Sequence, residues 1–195
     1  MAYMDSHYGH HSDVLGMDAY SQDRLLSCGL DRNVIFWKIN EDSELIYKNE
    51  KHTTDTINVI SNQFFLTGSI DNCIDLWIMN KKRPIFTLDN LHLNDSWLLS
   101  TAAVRNSDLF CSGSYDGFVN FYKLNKDRKN FEVVKKLGGL NGCLNNLKFS
   151  NVRSQDFGGL MLAVSHSKEE RTGRWHVQPK VKDGITIIRR AVADA

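Results

Sequence analysis

Ser27-Cys28-Gly29-Leu30-Asp31 followed by Val34-Ile35-Phe36-Trp37 is a phrase this chain writes three times. Thr67-Gly68-Ser69-Ile70-Asp71 leads into Ile74-Asp75-Leu76-Trp77, and Ser112-Gly113-Ser114-Tyr115-Asp116 leads into Val119-Asn120-Phe121-Tyr122. Each copy places a hydroxyl residue four before an Asp and an aromatic six after it. The Asp positions lie 40 and then 45 residues apart, and self-similarity at such a period marks a repeat architecture. A damaged fourth copy has Ser165, then Glu169 in the Asp place, then Trp175.

Read physically, the phrase is a strand, a tight turn and a second strand. Val34, Phe36 and Lys38 alternate with Ile35, Trp37 and Ile39, the period of two that sends side chains to opposite sheet faces. Both faces are largely apolar, as a sheet packed between two neighbours requires. The turns hold Asp31-Arg32-Asn33, Asp71-Asn72 and Asp116-Gly117, residues that bond their own backbone or tolerate positive φ. The reading is all-β, with middle strands at about Leu25–Cys28, Phe64–Gly68, Leu109–Gly113 and Met161–Ser165. Each is expected to be followed by a strand ending at Trp37, Trp77, Tyr122 or Trp175.

Histidines precede the repeats at regular places. His10 stands four before Val14, His52 five before Ile57 and His92 five before Trp97. These spacings resemble the WD40 family, in which such a His joins the Ser/Thr, the Asp and the Trp indole in one buried hydrogen-bonded chain. The residue types suit the task, because a buried indole N–H needs an acceptor while hydroxyl and imidazole can each donate and accept. The resemblance implies one set of His10, Ser27, Asp31 and Trp37, and a second of His52, Thr67, Asp71 and Trp77. The third set is expected to be weaker, with Tyr122 in the Trp place, and the fourth lacks an obvious His.

Composition narrows the class. Two prolines and thirteen glycines in 195 residues argue against disorder, and the longest apolar run is far short of a membrane span. The first residues, Met1 to His7, carry no basic region or apolar stretch of the kind a signal peptide needs. Cys28, Cys73, Cys111 and Cys143 form no CxxC pair and fall on or beside expected strands, where free Cys acts as a small hydrophobe in a reducing compartment. Asn94-Asp95-Ser96 matches a glycosylation sequon and reads as chance.

The net charge of +1 conceals an asymmetry. Residues 1–130 carry 13 Lys plus Arg against 17 Asp plus Glu, whereas residues 131–195 carry 11 against 6. The basic end also holds the odd repeat. Where earlier copies have apolar residues three and one before the aromatic (Val34 and Phe36, Ile74 and Leu76, Val119 and Phe121), the fourth has Thr172 and Arg174. A charge in a packing slot is costly unless it is paired or reaches solvent. A terminal blade with a wetter face and a functional site account for this pattern equally well.

Beyond the blade phrases, Leu140 through Leu147-Lys148-Phe149-Ser150, then Glu169, Gly173-Arg174-Trp175 and Ile185-Thr186-Ile187-Ile188, resemble the carboxyl end of the WD40 subunits of the U3 small nucleolar ribonucleoprotein. Met1-Ala2-Tyr3, Gly9-His10, Val34 to Ile39 and Lys81-Lys82-Arg83-Pro84 fit the same family in the same order. The resemblance implies an RNA–protein scaffold in the nucleolus of the nucleus, supporting ribosomal RNA processing for the small ribosomal subunit. Its implied partners are U3 small nucleolar RNA, the core proteins of that particle and the small-subunit processome, with no membrane, no small-molecule substrate and no cofactor. The candidate RNA or partner contacts are Lys81, Lys82, Arg83, Lys168, Arg171 and Arg174, since Arg suits bidentate phosphate pairing and stacking on splayed bases.

The family's propeller has seven blades after a charged extension, whereas four are written here. The expected layout is an outer strand of an absent blade at 1–8, blades at 9–50, 51–91 and 92–138, and an atypical last blade at 139–195. Met1 accordingly reads as an internal methionine. No enzyme is expected. His7, His10 and His11 are the one tight histidine group, but no Cys or carboxylate at ligand spacing completes a metal site there. His11-Ser12-Asp13 has the letters of a triad, yet neighbours on an extended chain point to alternate sides. No phosphate-cradling glycine loop occurs. The competing class is a protein-only WD40 scaffold, such as a ubiquitin-ligase adaptor that reads a peptide across the propeller mouth.

Overall fold

The structure, a computed structural model, describes residues 6–92, 96–150, 160–171 and 177–189. Three sheets have four antiparallel strands each, with neighbours in chain order. They are β1 (Val14–Ser21), β2 (Arg24–Gly29), β3 (Asn33–Lys38) and β4 (Ser43–Lys48); β5 (Thr56–Val59), β6 (Phe64–Ser69), β7 (Cys73–Ile78) and β8 (Phe86–Leu88); and β9 (Leu98–Ala103), β10 (Leu109–Ser114), β11 (Val119–Leu124) and β12 (Phe131–Leu137). The fourth sheet is ordered β13 (Cys143–Phe149), β14 (Met161–Ser167) and β15 (Gly184–Arg189). A single 3-10 turn, Ile39–Glu41, is the helical element among the described residues.

The expected middle strands are β2, β6, β10 and β14, within a residue or two at each end. The fourth blade departs from the expected order. In the first three blades the strand beside the middle one ends at or just beyond Trp37, Trp77 or Tyr122, but β14 pairs on that side with β15, His166 against Gly184 through Met161 against Arg189. Trp175 and Arg174 lie outside the described residues. The cause is legible in the side chains. Thr172 and Arg174 cannot fill packing slots, and Ile185, Ile187 and Ile188 supply the apolar residues a strand needs. The leading strand expected at 1–8 falls mostly on residues 1–5, also outside the described set, and Ser6–His10 forms no strand.

Period-two alternation builds one core in each gap between blades. Leu26, Cys28, Val34, Phe36 and Tyr47 of the first blade meet Ile57, Val59, Phe65 and Trp77 of the second. The opposite face of that second blade, Phe64, Leu66, Ile74 and Leu76, meets Leu98, Phe110, Tyr122 and Phe131 of the third. Ala102, Cys111 and Val119 then meet Leu144, Leu147, Phe149, Leu162 and Val164 of the fourth. Phe65 stacks on Trp77 with ring centroids 5.6 Å apart, and truncating either to Ala should cost about 3–5 kcal/mol. On the far side of the fourth blade the alternation continues, and among the described residues Ile185 and Ile187 are left 74% and 66% exposed. All four cysteines are free and buried. Burial, with Glu170 second, pushes the Cys143 thiol up to about 11, and burial raises the other three thiols as well.

Each repeat turn places one residue in the left-handed region straight after its Asp: Arg32 (φ 60°), Asn72 (φ 61°) and Gly117 (φ 75°). The polar sets around those turns differ from blade to blade. In the first, the Trp37 indole N–H donates to Ser27 Oγ at 2.8 Å, Ser27 lies 2.7 Å from His10 Nε2, and His10 Nδ1 lies 3.0 Å from Asp31. In the third, Tyr122, Ser112, His92 and Asp116 repeat that chain at 2.9, 2.8 and 3.2 Å. The third set is thus complete, with the Tyr122 hydroxyl in the place of the indole, and each of its links is slightly longer than the matching one in the first blade.

The second set is the broken one. Trp77 donates to Thr67 at 2.9 Å as expected, but His52 makes no hydrogen bond to Thr67 among the described residues. It contacts Asp71 at 3.4 Å, and the Asp71 side chain is 50% exposed. In the fourth blade, Ser165 bonds the Asn146 carbonyl at 3.4 Å.

Candidate nucleic-acid interface

Each blade contributes its first strand, β1, β5, β9 or β13, to the wall of one central cleft of about 710 Å³. These inner strands run side by side in the same direction. Gly16 abuts Asp55 and Thr56 while Asp18 accepts from the Val59 N–H at 2.7 Å, and Thr56 meets Thr101 while Ile60 accepts from the Asn106 N–H. One mouth of the cleft therefore lies at the end where the Asp31, Asp71 and Asp116 turns sit.

Arg171 is at that mouth. It is exposed, lines the cleft, and its backbone N–H donates to Asn145 Oδ1 at 3.1 Å. It also acts electrostatically on Asp55 across the cleft. Burial raises Asp55 above the ordinary carboxylate range against the Ile70 N–H, the Thr53 hydroxyl and the Arg171 charge, which all favour its ionised form. Lys168 is exposed nearby, its N–H donating to Asp183 at 3.0 Å. At the cleft's other end, Arg105 is committed to Asp18 at 3.2 Å and to the Ala19 carbonyl.

Lys168 and Arg171 stand on an unusual loop. The first three blades join their middle strand to the next through three or four residues, but β14 and β15 are separated by residues 168–183. In sequence that segment holds five Lys and Arg against three Asp and Glu. Its described part is pinned to the body: Gln178 Nε2 donates to the Tyr115 carbonyl at 3.3 Å, and the Gln178 N–H to the Lys168 carbonyl at 2.8 Å. Long connections in compact domains are disproportionately functional. Lys180 and Lys182 project from the same loop and were missed in the sequence. Their signal was the loop's length, which emerges only once β15 is placed.

Lys81, Lys82 and Arg83 are exposed but lie elsewhere, in the β7–β8 turn at the outer rim. Arg83 is paired with Glu50 at 2.8 Å, both side chains well exposed. Lys168 and Arg171 thus stand three residues apart on one exposed connection, with Arg171 at the cleft, and the rim cluster lies on another blade.

Antiparallel blades set around a central cleft, fastened by His–Ser–Asp–aromatic chains, define a WD40-type β-propeller. The WD domain, G-beta repeat family matches residues 3–38 of this chain. Over nearly its whole length the chain is similar to WD40-repeat proteins associated with the U3 ribonucleoprotein. It is 30% identical over 199 residues to the U3 snoRNP-associated protein-like EMB2271 of Arabidopsis thaliana, covering 95% of this chain and 40% of that protein. The solved structure of U3-55K superimposes with a TM-score of 0.85 at 26% identity, over 95% of this chain and 57% of that one. The RRP9 WD40 repeats superimpose at 0.84 and 27%, with the same coverage. The chain therefore spans less than half the length of the curated relative and somewhat more than half of each solved neighbour.

Proposed function

We propose that this chain is a WD40 scaffold of the U3 small nucleolar ribonucleoprotein, docking on U3 RNA and its proteins in the nucleolus to support processing of the small-subunit ribosomal RNA. The observation that carries the reading is the likeness to U3-55K along 95% of the chain, joined to a cation-bearing loop at the cleft mouth. In this reading Lys168 and Arg171, with Lys180 and Lys182 beside them, contact phosphates. Arg174 shares their loop in sequence, and Lys81, Lys82 and Arg83 form a second, separate contact at the rim. The work is binding and placement, and the chain carries no proposed chemistry of its own.

Phosphate contacts release counterions, so RNA affinity should fall steeply with salt. Replacing Lys168 and Arg171 together with Glu should weaken association with U3 RNA and reduce the slope of log K against log salt by about one to two, with the thermal unfolding curve in place. Cellular crosslinking followed by sequencing should recover U3 RNA. A salt-insensitive interaction with peptides alone would favour the protein-only scaffold and refute the RNA assignment.

A further inference from the structure

His52 is the histidine that abandons its blade's hydrogen-bonded set. Its counterparts His10 and His92 place Nε2 within 2.8 Å of a serine hydroxyl, yet His52 turns Nε2 toward Asp89, 3.8 Å away. The backbone does not wander, because Asn49 Oδ1 accepts from the N–H groups of both Lys51 and His52. Cys73 opens β7 and Asp89 follows β8, each one residue beyond the Ile74–Leu88 pair, so the two strands deliver them side by side. One ligand atom each from His52, Cys73 and Asp89 lies within 4.8 Å of the others.

We propose that His52 Nε2, Cys73 Sγ and an Asp89 carboxylate oxygen form a zinc-type divalent metal site, with water at the fourth position. Nitrogen, thiolate and carboxylate together suit zinc, which takes three protein ligands and one open position, and they suit neither calcium nor magnesium. The outer shell fits as well. Asp71 Oδ2, 3.4 Å from Nδ1, can accept the Nδ1–H and leave the Nε2 lone pair facing inward, the carboxylate–histidine–metal arrangement. The Asp71 and Asp89 carboxylates both lie against the His52 ring, and their negative charge favours a cation there. On binding, the Cys73 thiol gives its proton to solvent and the thiolate becomes the ligand. The metal would tie the loop before β5 to the ends of β7 and β8, taking over the fastening that the His–Asp chain supplies in the first and third blades. No short spacing advertises the site, because its ligands are 21 and 16 residues apart.

The test is cobalt(II) titration of the chelator-treated 195-residue chain, followed by zinc displacement. The expected result is one equivalent bound, with a near-ultraviolet thiolate-to-cobalt band and intense visible bands of tetrahedral cobalt, all lost on adding zinc. Asp89→Asn and His52→Gln, both at accessible loop positions, should abolish the visible tetrahedral signature. Asp71→Asn should weaken binding 10–100-fold. Absence of the thiolate band in the wild-type chain, or its persistence unchanged in both ligand variants, overturns the assignment. Cys73→Ala adds a direct check where it folds, and Asp89→Asn carries the test where it does not.

Discussion

Replacing the turn aspartate by alanine, one blade at a time, should produce three different losses of stability. Asp31 has a side chain only 6% exposed and accepts from four donors: His10 Nδ1 at 3.0 Å, the His11 N–H at 3.0 Å, the Asn33 N–H at 3.1 Å and Asn33 Nδ2 at 3.1 Å. Hydrogen bonds to a charged group contribute about 1.5–3 kcal/mol each, but the solvent-facing donors rehydrate. The net loss on Asp31→Ala is therefore about 3 kcal/mol, most of it from orphaning the buried His10 N–H. Asp116→Ala strands a fully buried His92 and should cost about 2–3 kcal/mol. Asp71 is half exposed and, among the described residues, accepts from Ser69 and His52 alone, so Asp71→Ala should cost under about 1 kcal/mol. For a chain of this size 1 kcal/mol moves Tm by about 2–4 °C, so the metal-free protein should lose roughly 6–12 °C for Asp31 and under about 4 °C for Asp71.

The first loss should also depend on pH. Burial alone would raise Asp31, but the His11 and Asn33 N–H groups, the Asn33 amide and His10 outweigh it and hold the carboxyl below its ordinary value. A depressed acid stabilises above its unfolded pKa of about 3.9, and that contribution is lost as pH falls through the folded value. The Asp31→Ala penalty should accordingly shrink in scans taken progressively below pH 4. Equal Tm losses for Asp31→Ala and Asp71→Ala would refute the claim that the second blade's set is broken.

Asp75 titrates in the opposite sense: burial raises it despite bonds from Thr87 and Asn49, so the folded state holds its proton and stability falls as pH rises through the raised pKa. Asp75→Asn, which copies Asn120 in the same slot of the third blade, should gain Tm relative to wild type on going from pH 4 to pH 7, and no gain would sink that reading. A Cβ on Gly113 would meet Leu144 Cβ at 2.9 Å, Ser100 Oγ at 3.0 Å and Leu147 Cδ1 at 3.2 Å, so Gly113→Ala should overpack the gap between the third and fourth blades by about 1–3 kcal/mol, read as a lowered denaturant midpoint with unchanged slope.

The repeated phrase made the three regular blades readable because one short interval carries three physical demands at once. A hydroxyl must receive the aromatic's proton, an Asp must close the turn, and an apolar alternation must serve two neighbouring blades. Where those demands coincide, at Ser27, Asp31 and Trp37, sequence and structure agree to the residue. They part where a side chain has a choice of partners. His52 stands at the expected distance before its strand, but nothing in that spacing says whether its ring meets Thr67 or turns to Asp89. Tyr122 looked like a weakened Trp, yet its hydroxyl lies on the same strand face at hydrogen-bonding distance from Ser112.

The fourth blade separates local pattern from long-range pairing. Glu169 and Trp175 imitate the spacing of Asp31 and Trp37, and only the partnership of β14 with β15 shows that this imitation sits within a 16-residue connection. A strand is chosen by the apolar residues that can cover its neighbours, and Ile185, Ile187 and Ile188 outcompete a segment interrupted by Thr172 and Arg174. Among the described residues of that connection Lys168 and Arg171 are exposed and Arg171 lines the cleft, while Arg105 pairs with Asp18 toward the cleft's other end.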